Sequence, residues 1–162
     1  MRLRNHAVGS GLFTAGSCLA LTGGLLLTAC SGAASPAASP LTASDEVGQI
    51  VPVEGGGQYV DILPEELKAM LETKDFFFVN VHVPFEGEIE ATDAFVPFDQ
   101  VQTRLTEFPQ EKGAKIVLYC RSGSMSAIAA RALVEAGYTN VYNLDGGFRA
   151  WTSAGYELIQ QP

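Results

Sequence analysis

Basic residues are scarce in this sequence. Lys and Arg number 10 against 18 Asp and Glu, the formal net charge is −8, and charged residues make up only 17% of the chain. Nucleic-acid binding needs clustered Lys and Arg to neutralise phosphates, so that partner class is excluded. Cysteine is scarce too: Cys18, Cys30 and Cys120 are the full set, and no two form a C-x-x-C pair. A thioredoxin-type dithiol is thereby excluded. With His6 and His82 as the two histidines, the chain offers no zinc-ligand pattern either. At 162 residues there is room for one modest domain.

What the chain does have is a long uncharged start. Arg2, Arg4 and His6 precede 23 residues without a charge, 7–29, the layout of a secretory signal. Leu27-Thr28-Ala29-Cys30 at its end resembles the bacterial lipobox, in which a Cys is lipidated and becomes the mature N-terminus. A transmembrane anchor is the alternative, since the length would permit a span. Dilution of the run by Gly, Ser and Thr, and its stop at a Cys, favour the lipoprotein. The resemblance implies removal of residues 1–29, acyl chains on Cys30 that hold the protein to a membrane, and an extracytoplasmic, envelope location. The 133 residues from Cys30 onward would carry a charge of −10.

Residues 30–57 read as a tether, with 17 of the 27 residues after Cys30 being Ala, Gly, Ser or Pro. Such a stretch cannot bury enough apolar surface to offset its ordering entropy. Val47, Ile50, Val51 and Val53 leave open an irregular arm docked on the domain. Residues 58–162 form that expected domain. Strands are expected at 59–62, 76–81, 115–119 and 141–144, with a brief one at 95–97. Helices are expected at 64–71, 124–136 and 148–153, and Asp99 is placed to cap one carrying Val101, Leu105 and Phe108. The 124–136 helix shows apolar positions at Met125, Ile128, Ala129, Ala132, Leu133 and Ala136. Alternating strands and helices predict an α/β three-layer sandwich, a mainly parallel central sheet with helices on both faces.

In such sheets the chemistry gathers where loops leave the carboxyl ends of strands. Here the 115–119 strand delivers Cys120 to the turn Arg121-Ser122-Gly123-Ser124. Small residues let backbone N–H groups point inward, the following helix adds its positive end, and Arg121 adds a cation. All three favour a nucleophilic thiolate. A plain buried Cys at a strand end is the competing reading.

Tyr119-Cys120-Arg121-Ser122-Gly123-Ser124-Met125-Ser126 resembles the active-site loop of the rhodanese family. Val141-Tyr142-Asn143-Leu144-Asp145-Gly146-Gly147-Phe148-Arg149-Ala150-Trp151 is similar to that family's closing strand, paired Gly and Trp. Phe78-Val79-Asn80-Val81-His82 is similar to its early Asp-Val-Arg strand and turn. The resemblance implies the rhodanese-like sandwich and sulfur transfer without metal or organic cofactor. Cys120 would be the catalytic nucleophile, taking sulfane sulfur from a small donor such as thiosulfate or polysulfide and passing it to a thiol or cyanide-type acceptor. Arg121, Ser122, Gly123, Ser124, Met125 and Ser126 would bind the substrate, with backbone N–H groups stabilising the persulfide as an oxyanion hole stabilises oxygen.

Three departures stand out. Met125 sits where many single-domain relatives carry a basic residue, and Asn80 and His82 replace the Asp and Arg of the early turn. His82 is either an accessory group near the Cys120 loop or a turn histidine bonding a backbone carbonyl. Glu86, Glu88, Glu90 and Asp93 make the next loop acidic, either bordering the pocket and repelling anionic donors or forming a solvated rim. A related phosphatase branch places an Arg six residues after the Cys, and Ser126 here argues against that activity. The departures leave a second reading, a catalytically weak module that binds a protein partner or senses sulfide or polysulfide.

Overall fold

The computed structural model describes residues 47–159. The signal segment 1–29, Cys30 and the first part of the tether lie outside the described residues. Six strands form one sheet: β1 (Gln49–Pro52), β2 (Gln58–Ile62), β3 (Phe77–Asn80), β4 (Ala94–Phe95), β5 (Ile116–Tyr119) and β6 (Val141–Leu144), in the order β1-β2-β6-β5-β3-β4. β1 runs antiparallel to β2, and every other pairing is parallel. β5 sits between β6 and β3 with all four residues buried, as its unbroken Ile-Val-Leu-Tyr run requires of a strand covered on both faces.

Alternate residues of these strands feed two cores. On one face Val79, Val81, Ile116, Leu118, Cys120 and Val141 pack with Ala129, Ala130 and Leu133 of α2 (Ser124–Glu135). On the other, Phe78, Val117, Tyr119 and Leu144 pack with Leu67 of α1 (Pro64–Glu72) and with Phe148 and Trp151 of α3 (Gly147–Ser153). The sandwich is therefore α/β with a mainly parallel sheet and helices on both faces.

Three local expectations change. β1 extends the sheet into residues that composition places in the tether; its arm is regular because Glu66 on α1 accepts from the Gly48 N–H at 2.9 Å and from Leu63 N–H at 2.7 Å. In place of a helix capped by Asp99, the chain makes two 3-10 turns, Phe98–Thr103 and Leu105–Glu107, the first capped at Pro97. Arg104 leaves helical geometry at φ −114° and its N–H takes the carbonyls of Gln100 and Val101, which closes the first turn early, while Val101 and Phe108 still reach the core. α2 is also rotated from its expected face. Ser126, Ala129, Ala130, Leu133 and Val134 point inward, while Ile128 is exposed. An Ala-rich helix has a shallow apolar face, and the small Ala129-Ala130 pair lets the helix approach the sheet closely.

Candidate functional site

β5 ends at Tyr119, and Cys120 follows as a buried residue, 1% exposed, at the floor of the loop into α2. Gly123 takes the N-cap position in left-handed geometry (φ +85°, ψ −21°), which turns the chain sharply enough for α2 to start directly above the thiol. The helical ladder begins with Ala127 N–H donating to Gly123 C=O at 2.9 Å. The N–H groups of Gly123, Ser124, Met125 and Ser126 therefore stand outside the ladder, where a helix presents its positive end. Ser126 is fully buried, and its hydroxyl lies 3.4 Å from Cys120 Sγ and 3.1 Å from Gly123 C=O, two acceptors for its one proton.

The loop is clamped from below by the start of α3. Phe148 N–H donates to Cys120 C=O at 2.9 Å, and Arg149 N–H to Arg121 C=O at 3.1 Å. Gly147, at φ +57°, lies so close that a Cβ there would collide with Cys120 O and stand 2.7 Å from Ser122 N. The paired glycines after β6 are thus the surface against which the cysteine loop is moulded.

The predicted residues separate into distinct roles. Cys120 and Ser126 meet at the floor. Ser122 and Ser124 are exposed, and their hydroxyls lie 3.4 Å from each other at the rim rather than on the sulfur. Met125 packs against the α2-side core, filling with apolar bulk the position where a basic group would bind an anion. Arg121 is half exposed, and its Nη1 donates to Glu86 Oε1 at 3.2 Å.

Asn80 is fully buried and braces the early turn with both halves of its amide. Its Oδ1 accepts from His82 N–H at 3.0 Å, while Nδ2 donates to Gly87 C=O at 3.0 Å. An aspartate could make only the first of these bonds. His82 bonds no backbone carbonyl, which overturns the reading of it as a turn histidine of that kind: both ring nitrogens are buried without a hydrogen-bond partner. Packing places the ring there instead, edge-to-face on Phe148 with centroids 5.4 Å apart. Its Nε2 faces Glu86 Oε2 at 3.7 Å, beyond hydrogen-bond length.

Glu86 is the residue that motif reading missed as an individual. The acidic loop is neither all rim nor all pocket. Glu86 touches Arg121 and faces His82, whereas Asp93 accepts from Phe78 N–H at 2.8 Å and pairs with Lys74 at 2.6 Å on the sheet edge. No spacing rule marked it, because residues 82–86 form neither helix nor strand. Tyr119, next to the cysteine, is tied to Ile89 N–H at 3.0 Å and Thr92 Oγ1 at 2.8 Å, and burial pushes its phenol up to about 12. It stays neutral and structural. A hollow of about 410 Å³ lined by Phe85, Glu88, Thr92, Asp93, Ala94 and Phe95 lies on the β4 edge and does not include the thiol. Cys120 and the Ser126 hydroxyl beside it lie in the Cys120 loop, apart from that hollow.

Chemically, this is a buried sulfur beneath a helix N-terminus, with a hydroxyl donor beside it and an exposed guanidinium on the next residue. Among the described residues no group of three or more metal-ligating side chains occurs. The chain is 33% identical over 92 residues to a sulfurtransferase of Allochromatium vinosum, covering 56% of this chain and 84% of that protein. It is 30% identical over 97 residues to a thiosulfate sulfurtransferase of Pseudoalteromonas translucida, covering 57% and 88%. Among solved structures, a rhodanese-like domain protein of Staphylococcus aureus superposes with a TM-score of 0.52 at 29% identity, over 63% of this chain and 98% of that one. The pattern of the rhodanese-like domain matches residues 63–154, from the start of α1 to the end of α3, and the chain belongs to that family.

Proposed function

We propose that this protein is an extracytoplasmic, lipid-anchored sulfurtransferase that carries sulfane sulfur on Cys120. The observation that carries the reading is the contact between Ser126 Oγ and Cys120 Sγ beneath the free N–H groups of α2, an arrangement suited to negative charge on sulfur. The names borne by the Allochromatium and Pseudoalteromonas relatives support the activity.

In the first half-reaction the Cys120 thiolate attacks the outer sulfur of thiosulfate. The donor's S–S bond breaks, sulfite leaves with the bonding pair, and a new S–S bond creates the Cys120 persulfide. In the second, cyanide or a thiolate attacks the outer persulfide sulfur, and the electron pair returns to Sγ. Charge moves by one atom between the two states. The N–H groups of Gly123 to Ser126 and the Ser126 hydroxyl hold it in both without reorganising. Arg121 lies where it can draw an anionic donor toward the loop.

The location rests on the N-terminal pattern: the charged start, the uncharged run and Leu27-Thr28-Ala29-Cys30. Removal of Cys18 with the signal and lipid on Cys30 would leave Cys120 as the one free thiol, and the Ala/Ser/Pro/Gly-rich tether would hold the domain away from the headgroups. The test of activity is intact-protein mass spectrometry of the full chain with thiosulfate or polysulfide. A gain of one sulfur, about 32 Da, absent in Cys120→Ser and discharged by cyanide, is expected. No adduct on a confirmed reduced thiol would replace the enzyme with a binding or sensing module. Loss of acyl labelling and of membrane association in Cys30→Ala tests the anchor.

A further inference from the structure

We propose that Glu86 is a specificity-determining residue that holds the Arg121 guanidinium of the cysteine loop and selects against small, highly charged sulfur donors; this rests on the sulfurtransferase reading of Cys120. Two observations carry it. One carboxylate oxygen, Oε1, accepts from Arg121 Nη1 at 3.2 Å, so the guanidinium of the residue that follows Cys120 already holds an anion. The other, Oε2, faces His82 Nε2 at 3.7 Å. The single carboxylate thus stands between the half-exposed Arg121 guanidinium and the buried His82 ring, whose nitrogens a donor does not reach. Met125 offers no replacement cation, because its thioether is uncharged and packs against the core.

A carboxylate on Arg121 is chemically a stand-in for the oxygens of thiosulfate or a thiosulfonate. Being attached to the same chain, it competes at high effective concentration. A dianionic donor must displace Glu86 from Arg121 and then sit beside the displaced charge. A monoanionic donor meets less repulsion, and a sulfane sulfur on a neutral or cationic carrier meets none. The turn that positions Glu86 is fixed by Asn80, which bonds His82 at one end and Gly87 at the other. The backbone that carries the carboxylate is therefore held in place by the fold.

The experiment compares the full-length wild type with Glu86→Gln in sulfur transfer to cyanide, using thiosulfate as the dianion and methanethiosulfonate as the monoanion. The expected result is a KM for thiosulfate about 10-fold lower in Glu86→Gln, a fall of about 3-fold for the monoanion, and kcat changed less than either. In Glu86→Gln/Arg121→Gln the gain should vanish, since it depends on freeing the guanidinium. Equal effects on both donors, an unchanged or raised KM, or a gain that survives loss of Arg121 would overturn the assignment. Transfer by the wild type with no Glu86 effect leaves the Cys120 reading standing and removes this one. Failure of either donor to load sulfur on Cys120 in both proteins removes both.

Discussion

Ser126 Oγ lies 3.4 Å from Cys120 Sγ and 3.1 Å from the carbonyl oxygen of Gly123, with a single proton to share between them. A neutral thiol leaves that proton on the carbonyl, whereas a thiolate or persulfide draws it to sulfur. The hydroxyl thus responds to the charge state of the nucleophile without moving. A hydrogen bond to a charged group is worth about 1.5–3 kcal/mol, which corresponds to roughly 10- to 100-fold in rate. Ser126→Ala should therefore slow sulfur loading from thiosulfate by about that factor, with a stability loss of about 1 kcal/mol. Stopped-flow loading rates and urea denaturation on the same protein check both; a loss of stability with unchanged loading would mean that Ser126 serves only the helix start.

Gly147 sets the floor beneath the loop. A Cβ at this position would collide with Cys120 O and sit 2.6 Å from Arg121 C, and its φ of +57° is itself unfavourable for a side chain. Those neighbours are backbone atoms already tied to Phe148 and Arg149, so they cannot give way singly. Gly147→Ala should cost about 3 kcal/mol or more and abolish loading of Cys120. Chemical denaturation with mass detection of the persulfide reads both. Wild-type loading in this variant would show that the loop does not need its α3 clamp.

At position 80 the family's aspartate would be a poor residue for this chain. Asn80→Asp keeps an acceptor for His82 N–H but turns a carboxylate oxygen toward Gly87 C=O, where Nδ2 now donates at 3.0 Å. In a fully buried position, that change should cost about 2–4 kcal/mol at neutral pH. Burial beside a carbonyl raises the new carboxyl's pKa, so the folded state gains as pH falls and the proton restores a donor. Thermal melts at about pH 5 and about pH 8 should show the gap from wild type narrowing at the lower pH. A gap that widens there would place the introduced carboxyl in a different network.

The core strands and the cysteine loop were legible because their signals are local. Ile116 to Tyr119 is an unbroken apolar run, and Cys120 to Ser126 carries its turn residues in sequence order. The Glu86–Arg121 pair was not legible, because it joins residues 35 positions apart through a loop in which Asp93 turns instead to Lys74 and Phe78 N–H. Ser126 read as one of three similar hydroxyls until α2's rotation buried it on the sulfur and left Ser122 and Ser124 at the rim. That rotation is hidden in an Ala-rich sequence, where Met125, Ile128 and Ala132 define a face as well as Ala129, Ala130 and Leu133 do. β1 was masked by its neighbours: the Gly and Pro around Ile50 and Val51 read as linker, while the bond from Gly48 to Glu66 that anchors it spans 18 residues.

Asp61 and Asn143 face each other across β2 and β6, and the contact yields a pH-dependent prediction. Asn143 Nδ2 donates to Asp61 Oδ1 at 2.7 Å, while Asn143 Oδ1 is buried with no partner. Burial raises the Asp61 carboxyl above its ordinary value; Asp145 adds repulsion, and the Asn143 bond and Arg131 oppose the shift. A raised carboxyl favours the folded state while protonated, and that contribution is lost as pH rises through the folded value. At neutral pH the ionised Asp61 is therefore held less favourably than in the unfolded chain. Asp61→Asn keeps an oxygen for Asn143 Nδ2 and brings an amide donor beside the orphaned Oδ1. It should stabilise the protein at about pH 7 by less than about 1 kcal/mol, since the half-buried site is screened by solvent. The gain should shrink below about pH 4, where the wild-type carboxyl carries its own proton. Urea denaturation at both pH values reads the difference. An equal gain at both would assign the effect to amide pairing alone, and a loss at neutral pH would show that the ionised carboxylate is favoured where it stands.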